Sequence, residues 1–152
     1  MKKALLVLAI FLIALIAGCS NTNTDIADED RSKLVIFRDA GCGCCGQYAA
    51  YAREKGFDVD VRTVGSMNAI KMQYKVPGEM QSCHTSVIEG YFVEGHVPAE
   101  AIRKLLDERP DIAGIALPGM PMGSPGMTGS KSGQFIIHAI GKDGGTSEFM
   151  RI

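Results

Sequence analysis

The sequence predicts a single α/β domain, and three observations carry that prediction. A short apolar run, Leu34-Val35-Ile36-Phe37, leads directly into the cysteine-rich loop GCGCCG at residues 41–46. An unbroken apolar run of this length is the mark of a buried strand. Beyond that loop, a helical segment is followed by the alternating FDVDVRTV. Two short strand-like runs then flank Glu89-Gly90, and a segment bounded by Pro98 and Pro110 follows them.

Taken in order, residues 47–55 (QYAAYAREK) read as a helix with Tyr48, Tyr51 and Ala52 on one face. Gly56 stands where helices end. Residues 57–64 alternate apolar and polar, a half-buried strand. Residues 66–74 form a short helix with Ser66 as its N-cap, broken by Val76-Pro77-Gly78. Residues 85–88 and 91–93 make a hairpin around Glu89-Gly90. A helix between Pro98 and Pro110 turns Ile102, Leu105 and Leu106 inward. The order β-α-β-α-β-β-α is that of a thioredoxin-like fold of the glutaredoxin type. Residues 111–133 are rich in Gly, Pro and Met and read as too broken for regular structure. Residues 134–140 and 146–152, around the turn at 142–145, form a C-terminal β extension.

The amino terminus differs in character from the rest of the chain. Met1-Lys2-Lys3 is basic, and residues 4–17 are uninterrupted apolar. That run is shorter than the ~20 residues of a membrane span and matches a signal sequence. Ile16-Ala17-Gly18-Cys19 resembles the bacterial lipobox, in which the cysteine receives lipid. The expected layout is a lipoprotein signal peptide at 1–18, a lipid-anchored flexible tether at 19–32 and a folded domain at 33–152, with Cys19 the lipidation site. An ordinary signal peptide or an uncleaved anchor is the alternative. This predicts an address in the bacterial cell envelope, facing the periplasm or the exterior. Ser20 after Cys19 favours the outer membrane over the inner, under sorting of the enteric kind. The formal net charge of -1, with Lys and Arg scattered, offers no basic field for nucleic acid.

Four cysteines remain for the domain: Cys42, Cys44, Cys45 and Cys83. Cys42 and Cys45 have the C-x-x-C spacing of thiol–disulfide exchange pairs. Cys44 is one thiol too many for that chemistry. Placed between a strand and a helix, the loop gains from the helix N-terminus, whose N–H groups favour thiolate. In a thioredoxin-like topology, the segment before the third strand packs against the C-x-x-C, and redox members keep a proline there. Here Cys83 and His84 take that place. The turn Gly95-His96 approaches the same end of the sheet. Met120, Met122 and Met127 lie in the Gly/Pro loop, which can cover the site as a lid. Four thiols, imidazoles and thioethers form a soft set suited to Cu(I), with zinc or an iron–sulfur cluster competing.

Each residue also has a structural reading. Cys83 can be an inert buried thiol, and His96 a capping histidine. His84 adjoins Cys83, and adjacent strand residues face opposite ways. The loop methionines can be packing, as can Met67, Met72 and Met80. His138 reads as a core or edge residue beside Ile136 and Ile140.

The motifs G-C-G-C-C at 41–45, M-Q-S-C-H-T at 80–85, Y-F-V-E-G-H-V-P-A at 91–99 and P-G-M-P-M-G-S-P-G-M at 118–127 resemble the CopG-type copper-resistance proteins of bacteria. That family has long been catalogued as a domain of unknown function with predicted metal binding. The resemblance spans about residues 34–127. It implies a thioredoxin-like fold and a cysteine-bridged copper cluster. The family cysteines map onto Cys42, Cys44, Cys45 and Cys83, its histidines onto His84 and His96, and its loop methionines onto Met120 and Met127. Relatives often carry a Trp after the cysteine motif; this chain has none, and Tyr48 stands near that place. Many relatives have a simple signal peptide in place of a lipid anchor.

Three functions are compatible with these residues. The first is an envelope copper-binding protein in copper resistance, holding more than one Cu(I), with copper chaperones or efflux components as partners and a redox role open. The second is a membrane-tethered thiol–disulfide oxidoreductase using Cys42 and Cys45. The third is a stabilising zinc site.

Overall fold

The computed structural model describes residues 33–152; the expectations for the signal peptide, Cys19 and the tether lie outside the described residues. Strand β1 (Lys33–Arg38) lies parallel to β2 (Asp58–Thr63), joined by helix α1 (Gly43–Glu54). Helix α2 (Met67–Gln73) and a short 3-10 turn (Gly78–Met80) lead to β3 (Thr85–Ile88) and β4 (Tyr91–Glu94). Helix α3 (Ala99–Glu108) precedes β5 (Gly114–Ala116), β6 (Ile136–Ile140) and β7 (Thr146–Arg151). The sheet order is β2-β1-β3-β4-β5-β6-β7. The first seven elements follow the predicted α/β order and are compatible with the thioredoxin-like arrangement.

Local sequence explains most boundaries. Ser66 Oγ accepts from Ala69 N at 3.3 Å and caps α2. Glu89 and Gly90 both adopt positive φ, 45° and 87°, as a two-residue hairpin turn of the mirror-image type needs. Pro98 precedes α3 as its N-cap, one residue earlier than the first helical position.

Two expectations are corrected. Helix α1 begins at Gly43, four residues before the predicted start, so Cys44 and Cys45 lie in its first turn and Cys42 is its N-cap. Glycine is a poor helix former, and the local sequence gave no start signal there. Residues 111–133, read as irregular throughout, contain β5. It is three residues long, fully buried, and paired with β4 and β6 at once. A Cβ on Gly114 would come within 2.2 Å of Phe92 O, so glycine permits the close β4–β5 approach.

Neighbouring residues on the central strands face opposite ways and build two cores. Val93 and Ile115 join Leu34, Ile36, Tyr48, Ile102 and Leu105 in the larger cluster. Phe92 and Ala116 join Val76, Met80 and Ile140 in the smaller one. Each fully buried Leu or Ile contributes about 1.5–3 kcal/mol by leaving water. The predicted α3 face is right in Ile102 and Leu105, which are buried, and Leu106 packs partly buried beside them.

Register aligns the ends of the elements. Phe37 on β1 sits opposite Thr85 on β3, Thr85 opposite Glu94 on β4, and Glu94 opposite Ala116 on β5. The exit of β1, the entry of β3 and the exits of β4 and β5 therefore share one end of the sheet. The cysteine loop, Cys83, His96 and the methionine loop are adjacent to those ends in sequence.

Candidate metal centre

The four sulfurs form a closed ring. Cys42 and Cys45 are joined as a disulfide, with Cα atoms 5.4 Å apart. Cys44 Sγ lies 3.6 Å from Cys42 Sγ and 3.8 Å from Cys83 Sγ, and Cys83 Sγ lies 3.8 Å from Cys45 Sγ. The Sγ atoms all fall within 4.8 Å of one another. Cys45 is fully buried, and the other three are half-buried.

The loop is held from its own strand. Cys42 N donates to Asp39 O at 3.2 Å, and Gly41 N to Asp39 Oδ1 at 2.8 Å. Arg38 Nη1 donates to Cys42 O at 3.1 Å, which ties a guanidinium to the carbonyl of the N-cap residue.

A second donor group shares Cys83 with the ring. His84 Nδ1 lies 3.3 Å and His96 Nε2 3.0 Å from Cys83 Sγ, so Cys83, His84 and His96 form their own cluster. Both imidazoles are fully buried. His96 Nδ1 donates to Pro125 O at 2.7 Å, which leaves Nε2 as an unprotonated acceptor facing the sulfur. Among the described residues, His84 Nε2 has no hydrogen-bond partner. The two rings meet edge to face at 4.8 Å, and Tyr48 packs 4.5 Å from His84 and 5.5 Å from His96. Tyr48 Oη donates to Val97 O at 2.9 Å, which satisfies its buried hydroxyl.

Burial sets the protonation of this group. It pushes His84 down to about 3, with His96 and Lys71 adding to the shift, and holds His96 below its ordinary value. Burial and the neighbouring Cys44 push Cys83 up to about 12. At neutral pH the metal-free site therefore holds neutral imidazoles and a protonated Cys83. The thiolate character expected from the helix N-terminus does not extend to Cys83, which lies off that helix.

The methionine loop is brought here through its backbone. Ser82 Oγ donates to Gly119 O, Gly119 N donates to Gln81 O at 3.3 Å, and Pro125 O receives His96. Gly126 takes φ +77°, and a Cβ there would lie 2.5 Å from Tyr48 N, so the loop rests directly on α1. Met127 is half-buried, while Met120 and Met122 are exposed. Met80 is buried in the smaller core and Met72 is exposed. His138 stands on β6, half-buried, opposite Ala116 on β5 and Glu148 on β7.

Residues 80–127 match the family model described as "Protein of unknown function, DUF411". That segment holds Cys83, both histidines and the methionine loop, and excludes GCGCCG. No curated protein matches the chain. Among solved structures, "Copper resistance protein copG- Form 2" is 41% identical, with a TM-score of 0.76 over 81% of this chain and 99% of that one. This chain belongs to the CopG copper-resistance family. "Copper resistance protein copG- Form 1" is likewise 41% identical, with a TM-score of 0.75 over 81% of this chain and 98% of that one. In this CopG-family chain the fold brings GCGCCG against Cys83, with Cys44 and Cys45 each 3.8 Å from it.

Sequence reading overlooked one group beside the ring. Lys71 on α2 and Glu94 on β4 are buried and form an ion pair. Burial pushes the Glu94 carboxyl up, opposed by Lys71 and by donors from Thr85 and Ser82. A charged residue in the apolar run YFVEG was the available signal, because charges are almost never fully buried unless paired.

Proposed function

We propose that this chain is a copper-binding protein of the bacterial cell envelope, serving copper resistance. The observation that carries this reading is the closed ring of four cysteine sulfurs. Thiolate sulfur has more than one lone pair and can be shared between ions, so four thiolates suit more than one Cu(I). Soft sulfur selects Cu(I), and two neutral buried imidazoles add nitrogen donors. His84 and His96 extend the set through Cys83. Met120 and Met127 are the thioethers assigned to it from the covering loop. The donor set fits copper as cargo: it is soft, largely buried and poor in oxygen ligands.

Reducing the Cys42–Cys45 disulfide supplies two of the four thiolates. The number of ions held thus depends on redox state, which is where a redox role enters. Lipid at Cys19 anchors the domain to the membrane, the outer one by the reading of Ser20, and copper chaperones or efflux components exchange ions with it.

An anaerobic Cu(I) titration of reduced protein, read by native mass spectrometry, tests this. More than one copper per chain is expected, and fewer after oxidation of Cys42 and Cys45. Reduced protein that binds no copper overturns the proposal. Parallel titration with zinc separates a zinc site, which four thiolates also permit.

The disulfide favours a second reading, thiol–disulfide exchange, with Cys42 attacking and Cys45 resolving. Insulin reduction that requires Cys45 and ignores Cys44 and Cys83 is its signature.

A further inference from the structure

One carboxylate organises the segment that presents Cys83. Glu94 is fully buried. Its Oε1 receives Lys71 Nζ and, at 2.7 Å, Ser82 N. Its Oε2 receives Thr85 Oγ1 at 2.6 Å, and Lys71 Nζ also reaches Thr85 Oγ1 at 3.4 Å. The two residues held are those on either side of Cys83-His84. The backbone completes the hold, since Gly95 N donates to His84 O at 3.0 Å. Four elements meet at this carboxylate: α2 through Lys71, the segment 82–84, β3 through Thr85, and β4 through Glu94.

A buried ion pair is a poor device for stability. Desolvating both charges costs as much as their attraction returns, and apolar replacement of such pairs is often neutral. Here the pair also spends a backbone N–H and a hydroxyl on fixing one short segment. We propose that Lys71 and Glu94 are positioning residues for the metal centre, holding residues 82–85 so that Cys83 Sγ stands within reach of Cys44, Cys45, His84 and His96. The inference rests on the copper reading for its purpose, although the hold itself is a property of the metal-free protein.

The geometry separates this role from a merely structural one. Cys83 Sγ lies within 3.8 Å of donor atoms of Cys44, Cys45, His84 and His96, and it comes from a different part of the chain from the three loop thiols. A displacement of the segment opens the two sulfur contacts of Cys83 in the ring and its contact with His96 together. Cys42, Cys44 and Cys45 depend on β1 and α1, and stay in place.

The test compares Lys71→Met/Glu94→Met, which removes both charges and the acceptors for Ser82 N and Thr85 Oγ1, with Lys71→Arg, which keeps the pair. The double variant is expected to remain folded by thermal melting. In reduced, metal-free protein, peptide-resolved iodoacetamide labelling of its Cys83 should accelerate about tenfold, the mark of local opening, while Cys44 keeps its wild-type rate. Its Cu(I) affinity should fall about 10–100-fold, the usual cost of losing an outer-shell partner. Lys71→Arg should match wild type in both. If the double variant fails to fold, Glu94→Asp decides: it keeps a counterion for Lys71 but withdraws the carboxylate from Ser82 N, and should show the same selective labelling. Folded variants with wild-type Cys83 labelling overturn the proposal. If the wild type binds no copper, the copper reading fails, and labelling still decides the positioning role.

Discussion

His96 Nε2 faces Cys83 Sγ at 3.0 Å while its Nδ1 donates to Pro125 O at 2.7 Å. One imidazole thus joins the sulfur ring to the methionine loop. The carbonyl fixes the tautomer, and the free nitrogen points at the thiol, as in many metal-ligating histidines.

His96→Ala removes both connections. Cu(I) affinity of the reduced protein should fall about 10–100-fold, measured by chelator competition. An unchanged affinity excludes His96 from the centre.

Cys44 is outside the disulfide yet contacts both Cys42 and Cys83. Cys44→Ala should lower the number of copper ions per chain in native mass spectra. The Cys42–Cys45 disulfide should still form, shown by one fewer free thiol than in the wild type.

Burial keeps Cys83 protonated, its pKa pushed up to about 12. Copper must displace that proton. Binding should release protons, and apparent affinity should rise with pH by about tenfold per unit for each proton displaced, between roughly pH 6 and pH 8. Competition titrations at several pH values check the slope.

His84 carries a stability consequence of the opposite acid–base type. Its pKa is about 3 in the folded chain against 6.5 for the free side chain. Between these values the unfolded state binds more protons, so stability rises with pH there. The metal-free protein should be at full stability, as far as this group is concerned, above 6.5 and lose stability as pH falls toward 3. His96, held low by burial too, acts in the same sense. Denaturant melts of His84→Phe should show a flatter acid limb.

Gly126→Ala places a Cβ against the backbone of Tyr48 at a positive φ. It should destabilise the reduced, metal-free protein by about 1–3 kcal/mol in urea melts. A neutral result means the loop does not rest on α1 in solution.

The sequence alone determined the residue types and the element order. Alternation, caps and prolines marked β2, α2, the hairpin and α3, because those signals depend on neighbours a few residues apart. The same local logic put GCGCCG at a strand–helix junction and Cys83 just before β3. Local signals could not show β5, whose three residues are strand only because β4 and β6 flank them. Nor could they start α1 at Gly43, because glycine is a poor helix former and carries no local start signal. Tertiary structure decided the chemistry of the site. Cys83 meets Cys44 across 39 positions of sequence because β1 and β3 pair in register, with Phe37 opposite Thr85. The Lys71–Glu94 pair was hidden for the same reason: each is an ordinary charged residue until the sheet and α2 remove water from both. Distance between donors and exclusion of water are properties of the assembled layers, and no short stretch of sequence contains them.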